Sequence, residues 1–136
     1  MKKIIVCMTA ILLTLNLFVP TALATSSTEI MPRWDNVQMV ATQFVFYENI
    51  GEATATVTKG SGCTSLNGVI TIYEFIDNEW VYLDSITKST TRASLGMIYE
   101  FEGESGMEYK MEFVVTAYNG TTVIEEITDT KYAACH

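Results

Sequence analysis

Apolar and polar side chains alternate along most of the chain between residues 36 and 128, and this pattern constrains the fold more than any other feature. In "EATATVTK" at 52–59, Ala53, Ala55 and Val57 share one face while threonines occupy the other. Such alternation predicts strands with one buried face, and no helical period of 3.6 residues competes with it. Abundant β-branched and aromatic residues also favour strands.

Turn residues divide this alternating region into seven candidate strands. The predicted strands cover residues 36–47, 52–59, 69–76, 80–87, 95–101, 109–118 and 123–128. Segments rich in turn formers separate them, including the 60–68 loop, the three-residue turn Asp77-Asn78-Glu79 and a type I′ turn at Asn119-Gly120. Seven strands with a turn about every ten residues predict an all-β, immunoglobulin-like β-sandwich of antiparallel strands, and a small barrel is the alternative closure.

The first predicted strand changes the phase of its apolar side chains. Val37, Met39 and Ala41 fall on one face, whereas Phe44 and Phe46 fall on the other. A one-residue slip of this kind moves side chains to the opposite face of a sheet. The segment therefore predicts a bulge, or a strand that passes from one sheet to the other.

The N-terminal residues have the three-part pattern of a secretory signal. Lys2 and Lys3 precede an apolar run of sixteen residues at 4–19, and the small-residue triplet 22–24 follows. The pattern predicts a signal peptide at 1–24, cleaved after Ala24. The run is shorter than the roughly 20 residues that span a bilayer, so no membrane anchor is expected after cleavage. We therefore expect a secreted, extracellular protein with a flexible lead-in at 25–35 and one domain at 36–136.

The charge of the chain argues against nucleic acid as a partner. The whole sequence carries a formal charge of −8, and removal of Lys2 and Lys3 with the signal leaves six basic and sixteen acidic residues. A domain that neutralises phosphates needs clustered Lys and Arg side chains, and the six that remain are scattered. The acidity is typical of a soluble extracellular protein.

Two cysteines, Cys63 and Cys135, remain after cleavage, and a disulfide bond between them is expected in an oxidising compartment. Strand geometry makes this pairing difficult, because an eight-residue strand spans about 27 Å whereas bridged Cα atoms lie about 5 to 6 Å apart. Either the tail at 129–135 returns along a sheet edge, the 60–68 loop reaches down, or the bridge joins two molecules. The returning tail is the favoured arrangement.

No constellation of residues with catalytic chemistry is evident. A nucleophilic cysteine needs a basic partner, and the only histidine is the terminal residue His136. Alternate glutamates at 100, 102 and 104 are explained by an exposed strand face. Acidic residues around 77–84 lack the spacing of a calcium-binding loop. We therefore expect a non-enzymatic protein without a cofactor and without a metal.

Aromatic residues near the second hairpin are the best candidates for a binding site. Trp80 and Tyr82 share a strand face, and Tyr73 on the preceding strand could lie beside them. A flat aromatic platform of this type would hold a surface glycan or a protein. The competing interpretation places Trp80 and Tyr82 in the core.

Two resemblances accompany these patterns. The segment "YKMEFVVTAYNGTT" at 109–122 resembles the penultimate strand and following hairpin of fibronectin type III and related immunoglobulin-like modules, in which a tyrosine braces a corner. That resemblance implies this role for Tyr109. The signal, the "IMPRW" start at 30–34 and the terminal cysteine resemble small secreted proteins of Gram-positive bacteria. That group has no established activity, so the second resemblance implies no site residues.

These observations favour a secreted binding or surface-interaction module. A self-assembling structural protein, whose exposed strand edge pairs with further copies, is the second hypothesis. A secreted toxin or inhibitor is the third, because a sandwich scaffold is compatible with many functions.

Overall fold

Seven antiparallel strands account for most of residues 34–136, the part of the chain that the computed structural model describes. They are β1 Val37–Tyr47, β2 Ile50–Lys59, β3 Ser65–Ile76, β4 Glu79–Thr90, β5 Ser94–Glu102, β6 Glu108–Asn119 and β7 Thr122–Ala134. These residues contain no helix. Every predicted strand is present, although most are longer than predicted. The predicted signal peptide at 1–24 and all but the end of the lead-in lie outside the described residues.

The strands form two separate sheets rather than a closed barrel. One sheet has the order β1-β2-β5 and the other has the order β4-β3-β6-β7. The chain crosses between the sheets after β2, after β4 and after β5. This arrangement confirms the predicted immunoglobulin-like β-sandwich of seven antiparallel strands.

The core lies between the two sheets and follows the alternation in the sequence. Ala53, Ala55 and Val57 on β2 are buried, as predicted. On β6 the whole predicted inner face is buried, and it comprises Tyr109, Met111, Phe113, Val115 and Ala117. Small alanines on β2 leave room for large side chains from the opposite sheet, so burial of apolar surface holds the two layers together.

The phase change in β1 comes from a bulge near the start of the strand. The register with β2 shifts between Val37 and Met39, so the extra residue is Gln38. Val37 and Phe44 therefore both face the core, while Met39 points outward with 46% of its surface exposed. The predicted bulge is confirmed, but it lies between Val37 and Met39, whereas the apolar pattern placed the phase change between Ala41 and Phe44.

One hairpin turn is shorter than predicted and another is shifted by one residue. Ile76 pairs with Glu79, which leaves a two-residue turn at Asp77-Asn78, and both residues have positive φ angles, 51° and 65°. This is the pattern of a type I′ turn. In the last hairpin Asn119 pairs with Thr122, so the central residues are 120 and 121, and only Gly120 has a positive φ. That pattern is typical of type II′, and the predicted type I′ turn at Asn119-Gly120 is wrong.

Tyr109 braces the connection between β5 and β6. Its side chain is 2% exposed, and its hydroxyl accepts the backbone N–H of Glu104 at 2.8 Å and donates to Glu74 Oε1 at 3.0 Å. Burial, together with the hydrogen bond to Glu74, raises the pKa of the Tyr109 hydroxyl. The contact with the backbone five residues upstream is the corner interaction that the fibronectin-like resemblance implied.

Polar side chains link the edges of the two sheets. On one side Thr42 of β1 donates to the carboxylate of Asp129 on β7. On the other side Tyr99 of β5 donates to the carboxylate of Asp84 on β4, and Lys88 Nζ donates to the carbonyl of Gly96 at 2.7 Å. Each opening between the layers is therefore crossed by side chains that bond to the opposite sheet.

The two cysteines lie at opposite ends of the sandwich. Strand β7 stays paired with β6 up to Ala134, so the tail does not return along an edge. The backbone N–H of Cys135 bonds to Met107, before β6 begins, whereas Thr64, next to Cys63, bonds to Tyr118 near the end of β6. Eleven strand residues span about 36 Å. Both thiols are free, and the predicted bridge within the chain is wrong; a bridge between molecules stays a prediction.

Candidate functional site

The three predicted platform residues lie together on the outer face of the four-stranded sheet. Tyr73 on β3 pairs directly with Tyr82 on β4, and the neighbouring pair is Phe75 with Trp80. Tyr82 is 57% exposed, and Trp80 and Tyr73 are half-buried. The competing interpretation, in which Trp80 and Tyr82 belong to the core, does not hold.

A bulge in β4 brings these side chains onto one face. The register between β3 and β4 shifts after Ile72, and Leu83 is the extra residue. Ile72 points into the core and is fully buried. Because side chains alternate along a strand, Tyr73 must point outward. The bulge keeps Tyr82 on the same outer face as Tyr73 while Ile86, further along β4, still packs against the core.

The structure adds three residues to this surface. Phe75 joins through its pairing with Trp80, while Lys110 on β6 and Tyr132 on β7 continue the row from Tyr73 across the sheet. Tyr132 is 65% exposed. We call the five aromatic side chains the outer aromatic cluster; its members are Tyr73, Phe75, Trp80, Tyr82 and Tyr132.

The rings of the outer aromatic cluster do not form a flat platform. The Tyr73 and Tyr82 rings are nearly perpendicular, with an interplanar angle of 85° and centroids 6.4 Å apart. Trp80 is tilted by 49° to Phe75 and by 47° to Tyr132, with centroids 4.9 Å and 5.6 Å away. These are favourable edge-to-face and tilted contacts. The rings therefore form walls around recesses rather than a planar floor.

The ammonium group of Lys110 lies among these rings. Its Nζ is 4.1 Å from the centroid of Tyr73 and 5.4 Å from that of Trp80. Both distances are within the range of a cation–π interaction. Within residues 34–136 the only ion pair joins Lys131 to Asp129, at 3.4 Å, so no carboxylate of this region pairs with Lys110.

An open depression adjoins the cluster at the end of the sheet where β6 begins. It has a volume of about 290 Å³, and Trp80, Tyr132 and Glu108 contribute to its walls. Glu108 is exposed and pairs with Ala134 on the adjacent strand. The depression is therefore lined by two aromatic residues and one acidic residue.

Asp84, one of the acidic residues considered for calcium, is engaged by Tyr99. The hydrogen bond from Tyr99, with a second one from the Ser85 backbone, lowers the pKa of the Asp84 carboxyl. Burial, followed by the bond to Asp84, raises the pKa of Tyr99 to about 12. Across residues 34–136 no group of three or more acidic, cysteine or histidine side chains is arranged to hold a metal ion. The same residues include no helix of the length and hydropathy needed to cross a membrane.

Comparisons with known proteins return distant structural similarity alone. No family model and no curated protein sequence matches the chain. It is similar to Spo0M, a sporulation control protein of Bacillus subtilis, with 12% identity and a TM-score of 0.40 over 74% of this chain and 50% of that one. It is also similar to a CARDB domain from Pyrococcus furiosus solved with di-metal ions, with 13% identity and a TM-score of 0.39 over 76% and 99%. The chain thus spans half the length of the Spo0M structure.

Proposed function

We propose that the protein is a secreted, non-enzymatic binding module whose outer aromatic cluster holds an extracellular partner. Support for secretion comes from the pattern of residues 1–24. Support for binding comes from one observation: five aromatic side chains meet on a sheet face that faces away from the core. Exposed aromatic groups of this kind are typical of interaction surfaces.

A protein partner agrees better with this surface than a glycan does. Sugar rings stack on flat, exposed aromatic faces, whereas the rings here are tilted by 47° to 85° relative to their neighbours. Recesses between tilted rings suit protruding side chains, which insert into well-packed pockets at protein interfaces. A glycan stays as the alternative outcome of the binding test.

The sheet edges give little support to the self-assembly hypothesis. Bulges interrupt three of the four edge strands, at Gln38 in β1, Leu83 in β4 and Ile124 in β7. The fourth, β5, is the shortest strand, with nine residues. Proteins use bulges and short edge strands to prevent pairing with further copies. A monomeric mass by size-exclusion chromatography with light scattering in the presence of reductant is the expected result.

The binding test compares the two outer faces of the sandwich. The variant Trp80→Ala/Tyr82→Ala removes part of the outer aromatic cluster. The control Tyr47→Ala/Ile98→Ala removes apolar surface from the outer face of the three-stranded sheet, where Tyr47 is 60% and Ile98 is 69% exposed. Immobilised protein is tested against cell-wall material, polysaccharides and extracellular protein extracts, and the captured molecules are identified.

We expect the cluster variant to lose at least about tenfold in affinity for the captured partner, the effect typical of central aromatic contacts. The control should bind like the wild-type protein. Circular dichroism and thermal unfolding establish that both variants keep the fold. If the cluster variant retains every partner that the wild-type protein captures, the aromatic face is not the binding surface.

A further inference from the structure

We infer that the depression bounded by Trp80, Tyr132 and Glu108 is a subsite for a cationic side chain, so that the partner is a protein segment carrying lysine or arginine. This inference rests on the proposed function and specifies the chemistry of the partner. Four observations support it: the arrangement of the rings, the position of the Lys110 ammonium group among them, the residues that line the depression and the negative charge of the domain.

The rings already hold an ammonium group that belongs to the protein itself. Lys110 Nζ lies 4.1 Å from the Tyr73 centroid and 5.4 Å from the Trp80 centroid. Trp80 is shared, because it also lines the depression with Tyr132, whose ring centroid is 5.6 Å from that of Trp80. A second cation in the depression would therefore contact Trp80, one of the two rings that the ammonium group of Lys110 already contacts.

Glu108 adds an acidic residue to the depression, whereas no carboxylate of residues 34–136 pairs with the ammonium group of Lys110. Glu108 lines the depression together with Trp80 and Tyr132, and aromatic side chains combined with an acidic residue suit a lysine ammonium or an arginine guanidinium. Glu108 and Lys110 are two residues apart on β6, so their side chains emerge on the same outer face. An incoming cation is attracted by Glu108 and repelled by Lys110.

The charge of the domain and the width of the surface favour a basic segment over a small cation. Residues 34–136 contain fifteen acidic and five basic residues, which gives a formal charge of −10. Such a charge attracts a basic partner over a distance set by the ionic strength. The row from Tyr82 to Tyr132 crosses four strands, about 14 Å at the usual strand separation, which accommodates several residues of an extended peptide.

The substitutions Lys110→Gln and Glu108→Gln on β6 test the inference because they should change the affinity for a cationic peptide in opposite directions. The probe is a fluorescently labelled hexalysine peptide, and its binding to the purified protein is followed by fluorescence anisotropy at low and physiological salt. Lys110→Gln removes the competing cation and should tighten binding by about three- to tenfold. Glu108→Gln should weaken binding by a similar factor, and Tyr132→Ala should weaken it further.

Arg92→Gln is the control for net charge. It makes the same change as Lys110→Gln, but Arg92 lies in the exposed turn between β4 and β5 at the other end of the sandwich. If Arg92→Gln tightens binding as much as Lys110→Gln does, attraction is general and the subsite is wrong. Weaker binding by Lys110→Gln, or hexalysine binding that is insensitive to Tyr132→Ala and Glu108→Gln, also overturns the inference.

Further probes separate this inference from the proposed function. Tetramethylammonium, a neutral hexaglutamine peptide and an acidic polysaccharide are tested with the same variants. If the polysaccharide or the neutral peptide binds through Trp80 and Tyr132 while hexalysine does not, the aromatic face is a binding surface and the cationic subsite is wrong. Binding of tetramethylammonium without hexalysine would replace the peptide partner with a small cation. If the ring substitutions change neither the binding of these probes nor the binding of any captured partner, both proposals fail.

Discussion

Two aromatic clusters lie at the same end of this sandwich, on opposite sides of β6, and their rings are spaced alike. The inner cluster consists of Phe44, Phe46, Phe101 and Tyr109, with centroids 5.1 to 6.1 Å apart. The outer aromatic cluster has centroids 4.9 to 6.4 Å apart. Ring spacing therefore does not distinguish a stabilising cluster from a binding surface.

The difference lies in what surrounds the rings. Phe44 and Tyr109 are buried and the partly buried Phe46 and Phe101 pack against the core. The hydroxyl of Tyr109 makes both of its hydrogen bonds within the fold. The outer rings cover one another, a lysine ammonium and an open depression. Removing an inner ring leaves a cavity or an unpaired polar group, whereas removing an outer ring mostly exposes its neighbours to water.

Replacement of a tyrosine by alanine in the inner cluster and in the outer aromatic cluster gives the largest expected difference in unfolding free energy. Tyr109→Ala should cost about 3 to 5 kcal/mol of unfolding free energy, as for other large buried rings. Tyr82→Ala should cost less than about 1 kcal/mol, because Tyr82 loses a cross-strand contact and an exposed hydrogen bond to Ser85 on an edge strand. Urea unfolding of the two variants measures both values. Equal losses would show that the outer cluster is structural, and the distinction between the clusters would fail.

Glycines beside the inner cluster provide a second contrast. A Cβ added at Gly51 would lie 2.6 Å from two atoms of the Phe101 ring and 2.9 Å from Phe46, whereas one added at Gly96 would meet nothing within 4 Å. Gly51→Ala should therefore cost about 1 to 3 kcal/mol through overpacking. Gly96→Ala should be neutral or slightly stabilising, because alanine restricts the unfolded chain.

Thermal or urea unfolding of the two glycine variants checks this contrast. A neutral Gly51→Ala would mean that the rings of Phe46 and Phe101 shift easily. The inner cluster would then be loosely packed, contrary to its proposed structural role.

Removal of a single oxygen atom gives a smaller effect. Tyr109→Phe keeps the buried ring but leaves the N–H of Glu104 and the carboxylate of Glu74 without this partner. Loss of the paired hydroxyl should cost about 1 to 2 kcal/mol. Tyr132→Phe, on the exposed outer face, is the matched control and should be within about 0.5 kcal/mol of the wild-type protein. A Tyr109→Phe variant as stable as the control would exclude the corner hydrogen bonds as a source of stability.

The sequence predicted the buried faces of the strands better than the outer aromatic cluster. Strict alternation on β2 and β6 identified the buried faces, because core packing requires period-two burial in a half-exposed sheet. Trp80, Tyr82 and Tyr73 were also grouped correctly, since one short hairpin brings them together. Local patterns are informative wherever neighbours in space are neighbours in sequence.

The missed residues depend on pairing between distant segments. Lys110 meets Tyr73 only through the register of β3 with β6, and Tyr132 joins them only because β7 continues to Ala134. No clear alternation marks this extension, because Asp129 and Lys131 occupy the positions that continue the inward face of Ile127. The expected compartment and the number of cysteines contain no information on the distance between Cys63 and Cys135. The pairing of β7 with β6 places the two free thiols at opposite ends of the sandwich.

The smallest expected effect concerns pH and the bond between Tyr99 and Asp84, which joins β5 to β4 beside the outer cluster. The pKa of Tyr99 is raised to about 12 from the usual 10.0, so folding favours the protonated hydroxyl. The stability from this shift is complete below pH 10 and is lost as the pH rises from about 10 to about 12, because the unfolded chain releases its proton first. Wild-type protein should therefore lose stability in this window.

Tyr99→Phe isolates that contribution, since Tyr109, whose pKa is also raised, is present in both proteins. The variant should be less stable than the wild type at pH 7, where the Tyr99 hydroxyl donates to Asp84. The gap between their melting temperatures should narrow between pH 10 and 12, because ionised Tyr99 would face the Asp84 carboxylate. It should also narrow in acid, as the pH falls through the lowered pKa of Asp84. A gap that stays constant from pH 7 to 12 would mean that this bond does not hold the two sheet edges together, and the bond from Lys88 to the carbonyl of Gly96 would then join β4 to β5.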